Sequence, residues 1–227
     1  MNNVSEHGEE QIKPHIPQGD DSQETTEKFQ QLSPVFENAI NCVLDALKII
    51  EQKLMDNGPR MPIHSITSRV KSPKSIQKKL IRHGLPYTID NVMYNLHDIA
   101  GVRVICKYIS DIYLVRDLLL TSDKFTFVKE KDYIKTPKPS GYRSLHLIIE
   151  TDVVIDEEVK KIRCEIQLRT SAMDSWASLE HNMRYKSDLP ENEQINDSLK
   201  KCAEVLHSTD LEMQRIAQQL NIIETEG

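Results

Sequence analysis

KIRCEIQLR, residues 161–169, alternates strictly, with Ile162, Cys164, Ile166 and Leu168 on one side and Arg163, Glu165, Gln167 and Arg169 on the other. A period of two over nine residues specifies a β-strand with one apolar and one polar face. The polar face is either a solvated surface or the floor of a polar site, and the strand alone leaves both open. Working outward, SLHLIIET (144–151) turns Leu145, Leu147 and Ile149 inward, and IAGVRVICKY (99–108) reads as a third strand. Phe125 to Lys131 carries a weaker β signal. Helical patterns interleave with these strands, one between Tyr108 and Leu120 and one from Thr170 to Lys186 with Ala172, Trp176, Leu179 and Met183 on a stripe. Strands interleaved with helices, followed by a long helical end, predict an α+β domain built on a mixed sheet.

The flanks are of a different character. Residues 1–32 hold seven acids and two bases with few large apolar side chains, and read as a mobile acidic tail. A helix is expected from Ser33 as N-cap and Pro34 as first residue, with Val35, Ile40, Val43, Leu44, Leu47, Ile50 and Leu54 at helical spacing, until Asn57-Gly58-Pro59 ends it. At the other end, a helix over about 192–223 spaces Leu199, Leu206, Met213 and Leu220 by sevens, with Cys202, Thr209, Ile216 and Ile223 as companion seam. That repeat predicts a contact with another subunit or with the first helix, so 188–227 is read as an oligomerisation segment and 33–187 as the catalytic domain.

Charge is unevenly distributed. The 227-residue chain carries a formal net charge of −6, against a general nucleic-acid binder, yet residues 33–187 hold 24 bases and 19 acids. An anionic ligand belongs in that middle. Between Arg69 and His83 there are six bases and no acid. A helix opening at Ser72-Pro73 puts Lys71, Ser75, Lys78, Lys79 and Arg82 on or near one face, opposite Ile76 and Leu80. Surface helices normally interleave both signs, so a single-sign face favours an anion site over a merely solvated one. The cysteines, Cys42, Cys106, Cys164 and Cys202, have no metal-ligand spacing and read as buried thiols in a reducing cytosol. No apolar stretch approaches the roughly 20 residues of a membrane span.

Chemistry concentrates at SGYRSLH, 140–146, where a Gly turn, an aromatic, a cation and an imidazole precede a strand. Tyr142 suits stacking on a purine, with Arg143 and His146 meeting charge nearby. With Asp98 and Arg103 of HDIAGVR and Glu165 and Gln167 of CEIQLRT, the chain holds acids for a divalent metal, cations for phosphates and an aromatic for a base. Neither GxxxxGK[ST] nor GxGxxG occurs, so side chains must hold any nucleotide.

The ordered series SRVKSPKSIQKK, HDIAGVRV, EKDYIKTPKPSGYRSLH, EIQLRT and WASLEHNMRYK resembles the synthetase domain of the RelA/SpoT family over about residues 60–187. The likeness is to the short single-domain small alarmone synthetases, the RelP type more than the RelQ type. It implies a nucleotidyltransferase-like fold, Mg²⁺ as cofactor, a homotetramer, and transfer of pyrophosphate from ATP to the 3′-hydroxyl of GDP or GTP. By the same resemblance Arg69 and Arg103 sandwich adenine, and Lys71, Ser75, Lys79 and Arg82 grip the ATP phosphates. Asp98 holds the metal, and Glu165 is the general base, a metal ligand or both. Tyr142 stacks on guanine, with Lys131, Lys138, His146 and Gln167 around the guanosine nucleotide. Where relatives commonly have Asn one turn after EIQxRT this chain has Asp174, at a position that contacts that nucleotide.

Each residue also has a plainer reading. Asp98 as a local cap, His146 as a satisfied strand histidine, Arg143 as a surface charge, Glu165 paired with Arg163 or Arg169, and Trp176 as core are all compatible with the sequence. Strict alternation puts Asp98 and Arg103 on opposite faces unless Gly101 carries a bulge. Burial of Glu165 would raise its pKa. The rival functions are a nucleotide-binding regulator without turnover, an RNA-binding module, which sparse aromatics disfavour, and a nucleotidyl transferase that releases pyrophosphate.

Overall fold

The strand that opens the sequence argument is the centre of a mixed sheet. The computed structural model describes residues 20–56, 58, 60–155, 157–186 and 193–223. Their elements are α1 (Asp20–Asp56), β1 (Ile63–Val70), α2 (Pro73–Arg82), α3 (Ile89–Asn95), β2 (Ala100–Cys106), α4 (Ile109–Leu120), β3 (Thr126–Asp132), β4 (Leu145–Ile155), β5 (Glu158–Thr170), α5 (Ser171–Lys186) and α6 (Glu193–Gln219). The strands lie in the order β1-β2-β5-β4-β3. β2 and β5 run parallel and the other neighbours antiparallel.

β5 sits in the middle because its apolar side has most to bury. Ile162, Cys164, Ile166 and Leu168 are buried, as are Val102 and Val104 of β2 and Leu145, Leu147 and Ile149 of β4. Ile112, Val115 and Leu119 of α4, which contacts β2 and β5, are fully buried as well. The α+β reading and the strands at 99–108, 125–131, 144–151 and 161–169 are thus borne out. β1 gave no strand signal: it is a sheet edge with the polar sequence IHSITSRV, and only Ile63 is fully buried.

Contact density divides the chain into two compact units, one of residues up to Gln31 with Ser72–Leu96, the other of Leu32–Lys71 with His97 onward. α2 and α3 belong to the first unit. In that unit Ile76 and Leu80 form the buried side of α2, as its spacing predicted.

Among the expectations about the flanks, the bounds of the first helix and its pairing with the last one are corrected. α1 begins at Asp20 rather than Ser33, so residues 20–32 are helical and Pro34 is internal; residues 1–19 lie outside the described residues. Phe29 is buried, and Thr25 and Thr26 hydrogen-bond to the backbone and hydroxyl of Tyr87. Gln30 and Pro34 are both exposed, so the carbonyl that loses its partner to proline faces water. In α6 the buried line runs through Ala203 and Ala217 with Leu206, Asp210 and Gln214 half-buried, while Cys202, Thr209, Met213, Ile216 and Leu220 are exposed. α6 packs along α5 and α4 of its own chain instead of α1, held by Ser110 N donating to Gln214 Oε1 at 2.8 Å and Thr170 Oγ1 to Asp210 Oδ2 at 2.6 Å.

Leu147→Ala, at a position with no exposed surface, is expected to lower the free energy of unfolding by about 2–5 kcal/mol in a denaturant titration. Val154→Ala, on the same strand but largely exposed, should change it by less than about 0.5 kcal/mol.

Candidate active site

Directly paired residues of neighbouring strands share a sheet face. Arg103 pairs with Gln167, Gln167 with His146, and His146 with Lys131, so four predicted site residues form one row across β2, β5, β4 and β3. The adjacent row runs Arg69, Gly101, Glu165, Ile148. Gly101 leaves that row without a side chain between Arg69 and Glu165. The polar side of β5 is therefore the floor of a site rather than a solvated surface: Arg163, Glu165 and Gln167 are half-buried and Arg169 is buried.

One hydrogen-bonded chain ties this floor together. Gln167 Nε2 donates to Glu165 Oε2 at 2.7 Å, and Arg169 NH2 donates to Gln167 Oε1 at 3.0 Å and to the Tyr142 hydroxyl at 2.7 Å. His146 lies 2.8 Å from that hydroxyl through Nε2 and 3.1 Å from Glu165 Oε1 through Nδ1. An ionised Glu165 can only accept, so Nδ1 carries the imidazole proton, and Nε2 accepts from the hydroxyl that Arg169 already donates to. Asp174 Oδ1 accepts from Arg169 NH1 at 2.9 Å and lies 3.2 Å from Arg103 NH1. Arg169, the hub of this chain, was seen in the sequence only as a strand-face partner for Glu165, and no periodicity distinguishes it from Arg163. Arg163 instead meets Glu150 and His97.

Burial pushes the Glu165 carboxyl up, but the hydrogen bonds from His146 and Gln167 outweigh it and hold the pKa below the usual carboxylate range. The expectation of a raised value is corrected: the neighbours dominate over desolvation. The Asp98 charge also acts to raise Glu165, so the two carboxylates are close enough to feel each other. Asp98 reaches this face without a bulge. β2 pairs with β5 in unbroken register through Gly101, and Asp98 lies upstream of β2 in a bend where alternation does not apply. Lys71 Nζ stands 2.6 Å from Asp98 Oδ2. Among the described residues no group of three or more His, Cys, Asp or Glu could hold a metal. Two carboxylates with hard oxygen donors nevertheless suit Mg²⁺, which binds through one or two carboxylates and completes its shell with phosphate and water.

Cations gather beside the carboxylates. Burial, then the charge of Arg169, lowers the Arg103 pKa; Asp174 acts against this, and Arg69 lowers it further. Three arginines near one aspartate leave a local positive excess. On the other side, Lys138 Nζ lies 4.7 Å from the Tyr142 ring centre and 4.8 Å from that of Tyr133, and Tyr133 meets Tyr142 and His146 edge-on. Tyr133 gave no sequence signal, being one aromatic in a polar loop. Arg143 is corrected: it turns away from this cluster to Glu204 of α6 and is neither a site cation nor a surface charge. Trp176 is core, as read. Ser75, Lys79 and Arg82 belong to α2 in the other compact unit, where Ser75 Oγ lies 2.9 Å from Ser72 Oγ and no acid stands in the first turn.

Residues 68–189 match the family described as the region found in RelA / SpoT proteins. The chain belongs to the RelA/SpoT family. It is 43% identical over 202 residues to the GTP pyrophosphokinase YwaC of Bacillus subtilis, covering 89% of this chain and 96% of that one. The crystal structure of small alarmone synthetase 2 from Bacillus subtilis superposes with a TM-score of 0.75 at 44% identity, over 84% of this chain and 98% of the other. Small alarmone synthetase 1 from the same organism, bound to its product pppGpp, gives 0.77 at 32% identity over 86% and 98%. The RelA/SpoT region spans every site residue from Arg69 to Asp174 and ends before α6.

Gln167→Leu removes one of the contacts that lower Glu165 and leaves burial and Asp98, which raise it. The Glu165 titration midpoint, followed by carboxyl ¹³C NMR, is expected to move to higher pH, and a fall or no change would contradict the network. His146→Ala should move it the same way.

Proposed function

We propose that the chain is a (p)ppGpp synthetase, transferring the β,γ-pyrophosphate of ATP to the 3′-hydroxyl of GDP or GTP and releasing AMP. The observation that carries this reading is the shared sheet face on which Asp98 and Glu165 stand between arginines on one side, Arg69 and Arg103, and an aromatic platform on the other, Tyr142 with Lys138. The GTP pyrophosphokinase relative and the solved relative holding pppGpp support it.

In this reaction the 3′-oxygen attacks the β-phosphorus of ATP, the bond from that phosphorus to the α,β-bridging oxygen breaks, and AMP leaves with that oxygen and its electron pair. The hydroxyl proton passes to Glu165, whose lowered pKa keeps it ionised and ready to accept. His146 and Gln167 fix both carboxylate oxygens and so orient the base. Guanine stacks on Tyr142, taking the place of the exposed Lys138 side chain over the ring, which frees that ammonium for the acceptor's phosphates. Gln167 and Lys131 flank the acceptor. Adenine lies between Arg69 and Arg103; Arg103 Nε is buried with no hydrogen-bond partner among the described residues. Lys71 holds the ATP phosphates, and Asp174 holds Arg103 and Arg169 in place. Asp98, alone or with Glu165, would hold Mg²⁺, which would supply charge neutralisation for the phosphoryl oxygens. Little covalent help is needed, because placement and cationic stabilisation supply most of the acceleration in phosphoryl transfer.

The same reading makes the protein a cytoplasmic homotetramer. Exposed Val205, Met213 and Leu220 on α6 favour self-association, and among the described residues all four cysteines are free thiols. Among those residues no helix is long and apolar enough to cross a membrane.

Purified protein incubated with ATP, Mg²⁺ and GDP or GTP should give a more highly charged guanosine product on anion exchange with equimolar AMP. Pyrophosphate as leaving group would make it a nucleotidyl transferase, and bound ATP without product would make it a regulator. Chelation by EDTA should stop turnover and Mg²⁺ restore it. Glu165→Gln is expected to lower kcat at least about 10²-fold, the usual scale for a general base, with ATP binding retained in a calorimetric titration.

A further inference from the structure

The loop that presents Tyr142 closes on itself through Gly141 N to the Lys138 carbonyl at 2.8 Å and Lys138 N to the Tyr142 carbonyl at 3.2 Å, and it also leans on α6. Gly141 has φ +88°, and a Cβ there would come within 2.6 Å of Ala203 Cβ and 3.4 Å of Lys200 Cα on α6. Glycine is thus required twice, for its backbone angle and because a helix passes directly over it. Arg143, two residues on, is buried, and its NH2 donates to both carboxylate oxygens of Glu204, at 3.3 and 3.1 Å. Its NH1 donates to the Gly141 carbonyl at 3.2 Å, so one guanidinium ties the turn to α6. The Tyr142 ring packs with Leu199 and Leu206 of α6 against Trp176, Ala177 and Ala203, and Trp176 Nε1 donates to the Leu199 carbonyl at 3.0 Å. A cavity of about 10 Å³ lies within this contact, lined by Gly141, Arg143, Trp176, Ala203 and His207 among others. That is room for about one water, which makes the contact a packed joint and not a ligand pocket.

We propose that α6 is the brace that positions the guanosine-binding loop, with Ala203 and Glu204 as positioning residues for Tyr142. The inference rests on the reading of Tyr142 as the acceptor platform. It assigns a role in acceptor recognition to a helix outside the residues that match the family. α6 touches Gly141, Arg143 and Tyr142, whereas Arg69, Lys71 and Asp98 are held by β1, β2 and their own ion pair. Loosening the brace therefore affects the acceptor selectively. Glu204 itself is half-exposed, but its removal leaves the buried Arg143 guanidinium without its counter-charge, so Glu204→Gln, which keeps an acceptor oxygen, is the milder variant.

The test uses the full chain and titrates GDP and, separately, ATP into wild type, Glu204→Ala, Glu204→Gln and Ala203→Leu, with KM and kcat for the same proteins. Glu204→Ala and Ala203→Leu are expected to raise Kd and KM for GDP about tenfold, with Kd for ATP and kcat at saturation changed less than about twofold. Glu204→Gln, which keeps an acceptor oxygen for Arg143, should recover part of the loss. Unchanged GDP affinity in both Glu204→Ala and Ala203→Leu overturns the proposal, and so does a parallel loss of ATP and GDP affinity. Wild type that binds GDP while the variants match it sinks the brace alone. Wild type that neither binds GDP nor forms a guanosine product removes the acceptor reading and the brace with it.

Discussion

The constraint on which the site depends is the burial of one cation. Arg169 keeps only 6% of its side-chain surface exposed, and a charge taken so far from water must be compensated on every donor or it costs several kcal/mol. Asp174 supplies the opposite charge, and Tyr142, Gln167 and Ser144 supply acceptor oxygens. Each of the first three also bears on a further group: Asp174 on Arg103, the Tyr142 hydroxyl on His146, and Gln167 on Glu165. Satisfying a single guanidinium therefore fixes Tyr142, Glu165 and Arg103 relative to one another. A guanidinium suits this post better than an ammonium because its donors diverge in one rigid plane.

The register of the sheet explains why so many functional side chains fall together without a glycine-rich phosphate loop. Central strands with apolar residues on one face turn their other residues to the opposite face in rows whose neighbouring members are about 5 Å apart. Here those rows bring Arg103, Gln167, His146 and Lys131 into line, with Glu165 one step along β5 in the next row. Gly101 matters for what it omits, since any side chain there would stand between Arg69 and Glu165. A one-residue slip of β5 would send Glu165 and Gln167 into the apolar layer, so the packing that stabilises the sheet also enforces the position of the carboxylate.

What was legible in the sequence follows from the same physics. The inward residues of β4 and β5 and the buried side of α2 were readable because burial imposes periods of 2 and 3.6. The strand at 63–70 was not, because an edge that exposes most of its side chains need not alternate. Pro34 was a misleading start signal: the helix runs through it, because on an exposed helix face the broken carbonyl is solvated. Asp98 looked misdirected only while it was counted as part of the strand; placed in the preceding bend it is free of the alternation. The partners of Arg143 and Arg169, 61 and 5 residues away, are matters of tertiary placement on which local pattern has no purchase. The family motifs pointed to the right region, but not to the helix that leans on it.

Asp174 shows how one position can tune both halves of such a site. Its Oδ1 accepts from Arg169 and meets Arg103, so it ties the two guanidinium groups together. An amide at that position offers one acceptor oxygen and no charge. It would leave Arg69, Arg103 and Arg169 uncompensated among themselves, strengthening the pull on an incoming anionic nucleotide while letting the like charges drive Arg103 away from its place. The carboxylate does the reverse: it weakens the net positive field but holds Arg103 oriented before any nucleotide arrives. Affinity gained from field strength and affinity gained from preorganisation are distinct routes to the same binding energy, and only the first is screened by salt. With Asp174 this chain takes the second route: Arg103 is oriented by a partly buried ion pair, which salt screens less than it screens an exposed one.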